Sequence, residues 1–226
     1  MVAAQFRVSI TKDIMRIQVL LLSIFLIFHS VAFASDRPEN ELPMYGGLDK
    51  SHIKPDKKMS AEVAQLGWKY FYNGDYDTAI KRFNQAWMFD HNNSDALWGF
   101  GLVMGNRATQ EEPLFNINES IRCLNLAKSV APDNGLILGD LAYSYTFLGA
   151  QLKEEGKDSQ EPFDKAEKLF QEASKIEPKH PLIYSNWSIL EYQKGNYSKA
   201  RKLLDQAKEY GFKPEPNYEE QLKEKL

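Results

Sequence analysis

The hydrophobic positions of the chain follow a helical period that returns four times. In each set a small residue, a large apolar residue and an alanine lie four and then three residues apart, and a residue that ends the helix follows five positions later. Residues three and four apart share one face of a helix, so each set predicts a helix with one buried face. The four sets are Ala79-Phe83-Ala86-His91, Ser120-Leu124-Ala127-Pro132, Ala166-Phe170-Ala173-Pro178 and Ala200-Leu204-Ala207-Phe212.

A second helical period precedes these sets and is joined to them by short turns. In residues 60–93 the turn contains Gly74, and in residues 181–214 it contains Gly195; each glycine lies five residues before the alanine that opens its set. A glycine at this point ends a helix in the left-handed conformation that other residues avoid. The sequence therefore predicts helix pairs that are repeated along the chain.

These paired periods resemble the tetratricopeptide repeat, a helix-turn-helix unit of 34 residues. The family pattern is W-x2-L-G-x2-Y, then A-x3-F, then P. Residues 60–93 match it at Leu66, Gly67, Tyr70, Ala79 and Phe83, with Val63 in place of the tryptophan and His91 in place of the proline. The resemblance implies an all-α fold, a right-handed α-solenoid of about four repeats with a capping helix at the carboxyl end.

The predicted domain organisation follows from this resemblance. The repeats are expected at about residues 60–93, 94–134, 135–180 and 181–214, so the repeat domain spans residues 60–214. Residues 215–226 are expected to form the capping helix, with Asn217 as its amino-terminal cap. The two middle repeats are longer, with extra residues at about 106–116 and 149–161; these either lengthen the helices or form loops at one edge.

The amino-terminal segment carries the features of an export signal. Arg16 precedes an apolar run at residues 19–28, and Ala32-Phe33-Ala34 then gives a small-residue cleavage site. We expect residues 1–34 to be removed near Ala34, translation to start at Met1 or Met15, and the mature protein to be periplasmic or secreted. The alternative is an uncleaved membrane anchor. Residues 35–59 are predicted to be a linker or an extended arm, whose apolar Met44-Tyr45 either docks on the domain or belongs to a mobile tail.

Charge and composition exclude several classes of function. The chain has a net charge of −3, and −5 without residues 1–34. A mildly acidic protein without a basic stripe is not expected to bind nucleic acid or to insert in a membrane after cleavage. Cys123 is the single cysteine and is expected to be a buried, inert thiol. The sequence lacks His-Glu-x-x-His, paired cysteines and Gly-x-Ser-x-Gly, so we expect neither an enzyme nor a metal or other cofactor.

The resemblance also implies a binding groove, because the first helix of each tetratricopeptide repeat lines the concave face. Large apolar residues on that stripe are candidate contacts, since aromatic rings are common interface anchors. The alternative is that Trp68 and Tyr143 pack between repeats. A cationic clamp for an acidic tail is not expected there. The candidate groove residues are Trp68, Tyr72, Trp98, Leu102, Tyr143, Phe147 and Ile189.

Two functions remain open at this point. The first is an exported adaptor that binds a protein or peptide segment in an apolar, aromatic groove. The second is a scaffold or assembly factor that self-associates or bridges the subunits of an envelope complex, with the insertions and Met44-Tyr45 as contacts. The sequence decides neither the partner nor the oligomeric state.

Overall fold

The computed structural model describes residues 37–47 and 53–226, so the predicted export signal lies outside the described residues. Over the described ranges the chain is helical, with two short 3-10 segments, Glu39–Glu41 and Pro43–Gly47, and nine α-helices. The α-helices are α1 (Lys57–Tyr72), α2 (Tyr76–Phe89), α3 (Ser94–Ala108), α4 (Pro113–Val130), α5 (Gly135–Glu154), α6 (Gln160–Ile176), α7 (Pro181–Gln193), α8 (Tyr197–Glu209) and α9 (Pro216–Glu224).

The first eight helices form four pairs stacked side by side. Within a pair the two helices pack along their length, as α1 does on α2 and α3 on α4. The second helix of each pair also packs on the first helix of the next, and the first helices contact each other in the order α1, α3, α5, α7. We call α1, α3, α5 and α7 the first-helix layer. The predicted all-α solenoid of helix pairs is confirmed.

Asp and Asn side chains begin several of these helices. Asp56 accepts a hydrogen bond from the backbone N–H of Met59 (2.9 Å), and Asp75 accepts one from Thr78 (3.0 Å). Asn93 caps α3 in the same way, through the N–H of Ala96. These bonds satisfy amides that have no partner within the helix, and each cap contributes about 1 kcal/mol to helix stability. The starts of these three helices are therefore set by the local sequence.

The repeated apolar sets form the core between the paired helices. Their small, large and alanine positions are all fully buried: Ala79, Phe83, Ala86, Ser120, Leu124, Ala127, Ala166, Phe170, Ala173, Ala200, Leu204 and Ala207. Glycines permit the close approach. A Cβ atom on Gly67 would lie 2.5 Å from the Phe83 ring, and one on Gly99 would lie 2.3 Å from it. The Phe83 ring therefore occupies the space that side chains at Gly67 and Gly99 would fill.

The turn glycines and the long middle repeats follow the sequence pattern. Gly74 and Gly195 adopt φ angles of 79° and 82°, the left-handed conformation expected of glycines that end a helix. The extra residues of the middle repeats mainly lengthen helices, since α4 has 18 residues and α5 has 20, whereas α7 and α8 have 13 each. Only residues 109–112 and 155–159 remain as connections between the paired helices.

The last helix covers the end of the stack. Leu222 of α9 is fully buried and packs in a small apolar cluster with Ala200 and Leu204. The prediction that Asn217 caps this helix is wrong: the cap position is Glu215, and Pro216 is the first helical residue. Proline favours that position because its fixed φ angle suits a helix and its missing N–H would have no partner there.

The segment 37–47 docks on the repeat domain through buried polar side chains. The Asn84 amide donates to the carbonyl oxygens of Asn40 (3.0 Å) and Leu42 (2.8 Å) and accepts from the N–H of Tyr45 (3.2 Å). Met44 is buried in the same core cluster as Phe83. Of the two alternatives for this part of the linker, the structure shows a docked arm.

Arg107 holds the same arm from α3. Its guanidinium is almost fully buried, donates to the carbonyl oxygen of Glu41 (2.7 Å) and pairs with Asp77 (2.8 Å). The Glu41 carboxylate in turn pairs with Lys81 (2.9 Å). Arg107 and Asn84 together make four bonds to backbone atoms of the arm, so they fix its path, and Pro43 and Met44 are its buried apolar residues.

Candidate functional site

The seven candidate groove residues all lie on the first-helix layer, but they differ in exposure. Tyr72 at the end of α1 is 53% exposed. Trp98 on α3, Phe147 on α5 and Ile189 on α7 are half-buried. Trp68, Leu102 and Tyr143 are buried, with 8%, 2% and 7% of their surface exposed. The surface that a partner could reach is therefore formed by the first four of these side chains.

Trp68 and Tyr143 pack between repeats in this structure, the alternative that the sequence left open. The Trp68 ring meets the rings of Phe83 and Trp98 edge to face, at centroid distances of 5.3 Å and 5.0 Å. Tyr143 lies in a buried apolar cluster of the repeat domain, and burial raises the pKa of its hydroxyl group. Both side chains support the layer from within, and Leu102 is even more enclosed. A partner would touch them only at their edges.

Three aromatic rings join the core to the surface at the α1 and α3 end of the layer. Trp68 stacks on Tyr72 with ring centroids 5.8 Å apart and meets Trp98 at 5.0 Å. The inner ring is thus held by the core while Tyr72 and Trp98 keep accessible surface. Rings fixed in this way lose little conformational entropy on binding, a property of good interface anchors.

A carboxylate that the sequence did not single out completes this cluster. The Trp98 indole N–H donates to the Asp140 carboxylate (2.8 Å), which links α3 to α5. Burial raises the pKa of Asp140 to about 7, and the hydrogen bond from Trp98 opposes that shift. Burial dominates because an ionised carboxylate loses more by leaving water than one neutral donor returns. Asp140 therefore titrates near neutral pH.

Asp95 is a second carboxylate in the same place. It lies in the first turn of α3, three residues before Trp98 and so on the same helical face. Burial also raises the pKa of Asp95. The pKa of Tyr72 is raised as well, first by burial and then by the negative charges of Asp140 and Asp95. The negative charges of both acids thus act on the Tyr72 hydroxyl. We call Tyr72, Asp95, Trp98 and Asp140 the aromatic-acid cluster.

In the part of the chain that the structure describes, neither carboxylate of this cluster has a basic partner. Within residues 37–47 and 53–226, the ion pairs are formed by other acids, and Trp98 is the hydrogen-bond donor to Asp140. Two acids that are withdrawn from water without a counter-ion raise the free energy of the folded chain. The sequence offered only a weak indication of these acids: each lies three residues before an aromatic candidate groove residue, Asp95 before Trp98 and Asp140 before Tyr143.

Cys123, the single cysteine, lies outside the aromatic-acid cluster. Cys123 is fully buried, and burial raises the pKa of its thiol to about 12, as expected of an inert cysteine. Among residues 37–47 and 53–226 there is no group of three His, Cys, Asp or Glu side chains arranged for a metal ion. In the same part of the chain no helix is long and apolar enough to span a bilayer.

Comparison with known families gives one match. The tetratricopeptide repeat family matches residues 159–226, which contain α6 to α9. This part of the chain is similar to tetratricopeptide repeats. No curated protein matches the chain. The tetratricopeptide match covers less than half of the sequence, but α1 to α5 continue the same stacking of helix pairs. Repeat arrays of this type present extended concave surfaces for protein–protein interaction.

Proposed function

We propose that this chain is an adaptor that binds a protein or peptide segment along its first-helix layer. The observation that carries the proposal is the aromatic-acid cluster, where Tyr72 and Trp98 keep accessible rings beside two acids without a counter-ion. Side chains that serve only the fold are normally buried or paired. An exposed aromatic anchor on a rigid support is instead typical of an interface.

The proposed contact surface extends from the aromatic-acid cluster along the layer. Phe147 on α5 and Ile189 on α7 are half-buried apolar side chains on the first helices of the third and fourth pairs. A segment bound across α1, α3, α5 and α7 would therefore meet rings at one end and smaller apolar contacts at the other. Within residues 37–47 and 53–226, the first helices pack on the second helices and on one another.

We also propose that the protein acts outside the cytoplasm and without catalysis. The export proposal rests on the signal-like pattern of residues 1–34, with cleavage near Ala34 and the mature chain in the periplasm or outside the cell. The non-enzymatic role rests on the buried state of Cys123 and on the absence of catalytic motifs from the sequence. Amino-terminal sequencing of the protein from cells tests the cleavage site directly.

Affinity capture with a groove variant tests the binding proposal. The full chain and the double variant Tyr72→Ala, Trp98→Ala are used as bait in the native envelope fraction. Truncating true anchors costs about 2 kcal/mol each, so the variant should lose the partner almost completely. The matched control is Leu126→Ala, Val130→Ala, which truncates two exposed apolar residues of α4.

The outcomes separate adaptor from scaffold. Capture by the wild type and the α4 control, but not by the groove variant, supports the adaptor. Equal capture by all three overturns the proposed groove. A stable oligomer of the purified chain at micromolar concentration, in place of a captured partner, would support the scaffold instead. Met44 is less suited to intermolecular contact than the sequence suggested, because it is buried in its own domain.

A further inference from the structure

We propose that the aromatic-acid cluster binds a positively charged side chain, arginine or lysine, of the partner protein. The inference rests on the proposed function, since it names the chemistry of the partner at one end of the groove. It is carried by the 2.8 Å bond between Trp98 and Asp140 and by the position of Asp95 one turn before Trp98 on α3. Trp68 contacts the rings of both Tyr72 (5.8 Å) and Trp98 (5.0 Å), which brings Tyr72 to the same end of the layer. Ring faces and carboxylates are the two groups that attract a cation in a partly dry site.

The cluster lacks the cation that its own charge demands. Asp140 on α5 accepts the hydrogen bond of Trp98, and Asp95 lies one turn before Trp98 on α3, yet within the described ranges no lysine or arginine forms an ion pair with either acid. Elsewhere the fold does so: Arg107 is buried against Asp77 at 2.8 Å. A guanidinium or ammonium from outside would replace water around both acids and gain charge-assisted hydrogen bonds.

The geometry of the rings suits a cation better than a plain apolar group. Tyr72 stacks on the buried Trp68, so its ring is held by the core while the residue as a whole stays 53% exposed. The Trp98 indole is oriented by its bond to Asp140, which fixes the ring edge and leaves a half-buried surface. A cation over such faces is attracted by the negative charge of the ring face, and more strongly where water is excluded. An apolar group would gain from the rings but would bury the acids further.

Arginine is expected to bind more tightly than lysine. Its planar guanidinium stacks on aromatic faces and donates to two carboxylate oxygens at once. It is also more weakly hydrated than an ammonium, so a partly buried site opposes it less. An acidic or phosphorylated segment is disfavoured, because it would bring a third negative charge next to Asp95 and Asp140.

The test uses the full chain and small probes at pH 8, where Asp140 is ionised. N-acetyl-arginine amide, N-acetyl-lysine amide and the neutral N-acetyl-norleucine amide are titrated while the indole N–H signal of Trp98 is followed by NMR. The chain has four tryptophans, so the signal is assigned by its loss in Trp98→Phe. We expect saturable shifts with the arginine and lysine probes, with dissociation constants on the order of 1–10 mM, and no saturation with norleucine.

Charge variants show whether the acids cause the binding. Asp95→Asn and Asp140→Asn should each weaken the arginine probe by about fivefold or more. Glu172→Gln, on the exposed surface of α6, removes the same charge away from the cluster and should leave the affinity unchanged. Within the described ranges the Asp95 side chain forms no hydrogen bond or ion pair, so its variant stays informative even if Asp140→Asn disturbs the fold.

Three results would overturn the inference: saturation by norleucine as by arginine, unchanged arginine binding in Asp95→Asn and Asp140→Asn, or no saturable shift with either cation. The inference and the proposed function fail in different ways. If the captured partner depends on Tyr72 and Trp98 while the cation probes do not bind, the groove stands and the cation site falls. If the probes bind but no partner is captured, the adaptor proposal falls alone.

Discussion

Two acidic groups in this molecule are built in opposite ways. Between the third and fourth helix pairs, Glu167 and Glu191 share Lys194 and Lys199, with Lys199 within 2.7 Å of Glu167 and 2.9 Å of Glu191. In the aromatic-acid cluster, Asp95 and Asp140 have no lysine or arginine within the described ranges. Both groups connect neighbouring repeats, so their position in the stack does not explain the difference.

The pKa values reflect this difference. Burial opposes ionisation of Glu167, but hydrogen bonds from its neighbours, Lys199 and Lys194 among them, lower its pKa to about 2. Burial of Asp140 meets no such compensation and raises its pKa to about 7. A carboxylate with its counter-ions stabilises the fold, and a carboxylate without them does not. We infer that the first group serves the stack and that the second is retained for a ligand.

The largest expected effect separates core from surface within the predicted groove. Trp68→Ala should lower the free energy of unfolding by about 3–5 kcal/mol, because it leaves a cavity between Phe83 and Trp98. Tyr72→Ala removes a ring that is 53% exposed and should cost less than about 1 kcal/mol. Urea unfolding measures both. Similar losses of stability in the two variants would show that Tyr72, like Trp68, is part of the packed core.

A smaller effect is expected from removing Lys194 and Lys199, the counter-ions of Glu167 and Glu191. The double variant Lys194→Met, Lys199→Met leaves Glu191, which is fully buried, without a cation and should cost roughly 2–3 kcal/mol. The expected loss is smaller than for a fully buried ion pair, because Lys199 is partly exposed and water screens its charge. Lys202→Met changes an exposed lysine of the same helix and serves as control. A double variant as stable as the wild type would remove the contrast between the two groups.

The stacked helix pairs could be predicted because they depend on the spacing of residues that are close in the sequence. The spacing of Ala79, Phe83 and Ala86, repeated in the later sets, predicts which helix faces meet, and these positions are fully buried. Gly74 and Gly195 mark turns through a backbone conformation that favours glycine. Such features depend on a few neighbouring residues, so they can be recognised without the tertiary structure.

The docked arm and the acids of the cluster depend on distant residues. Asn84 binds backbone atoms about 40 positions earlier, and nothing near it in the sequence indicates that its partners lie there. Asp140 meets Trp98 from another helix pair, so its burial is a tertiary effect. The sequence indicated the aromatic stripe but not which rings are enclosed. Trp68 and Tyr72 are one turn apart on α1, and the packing of α2 and α3 on Trp68 separates their roles.

The smallest of these effects tests the central claim most directly: the unfolding free energy of Asp140→Asn relative to wild type, measured at pH 4.5 and pH 8. Asparagine keeps an oxygen for the Trp98 N–H but removes the charge. The pKa of Asp140 is raised on folding, so the folded state holds the proton to higher pH than the unfolded state does. The wild type therefore loses stability as the pH rises from about 4 to about 7.

We predict that Asp140→Asn and the wild type are close in stability at pH 4.5, and that the variant is more stable by roughly 1 kcal/mol or more at pH 8. Glu172→Gln, which removes an exposed charge, should show no such gain. An Asp140→Asn variant that gains stability at pH 8 would show that the native carboxylate is held at a cost to the fold. A variant less stable than the wild type at both pH values would contradict this, and would make Asp140 a structural partner of Trp98.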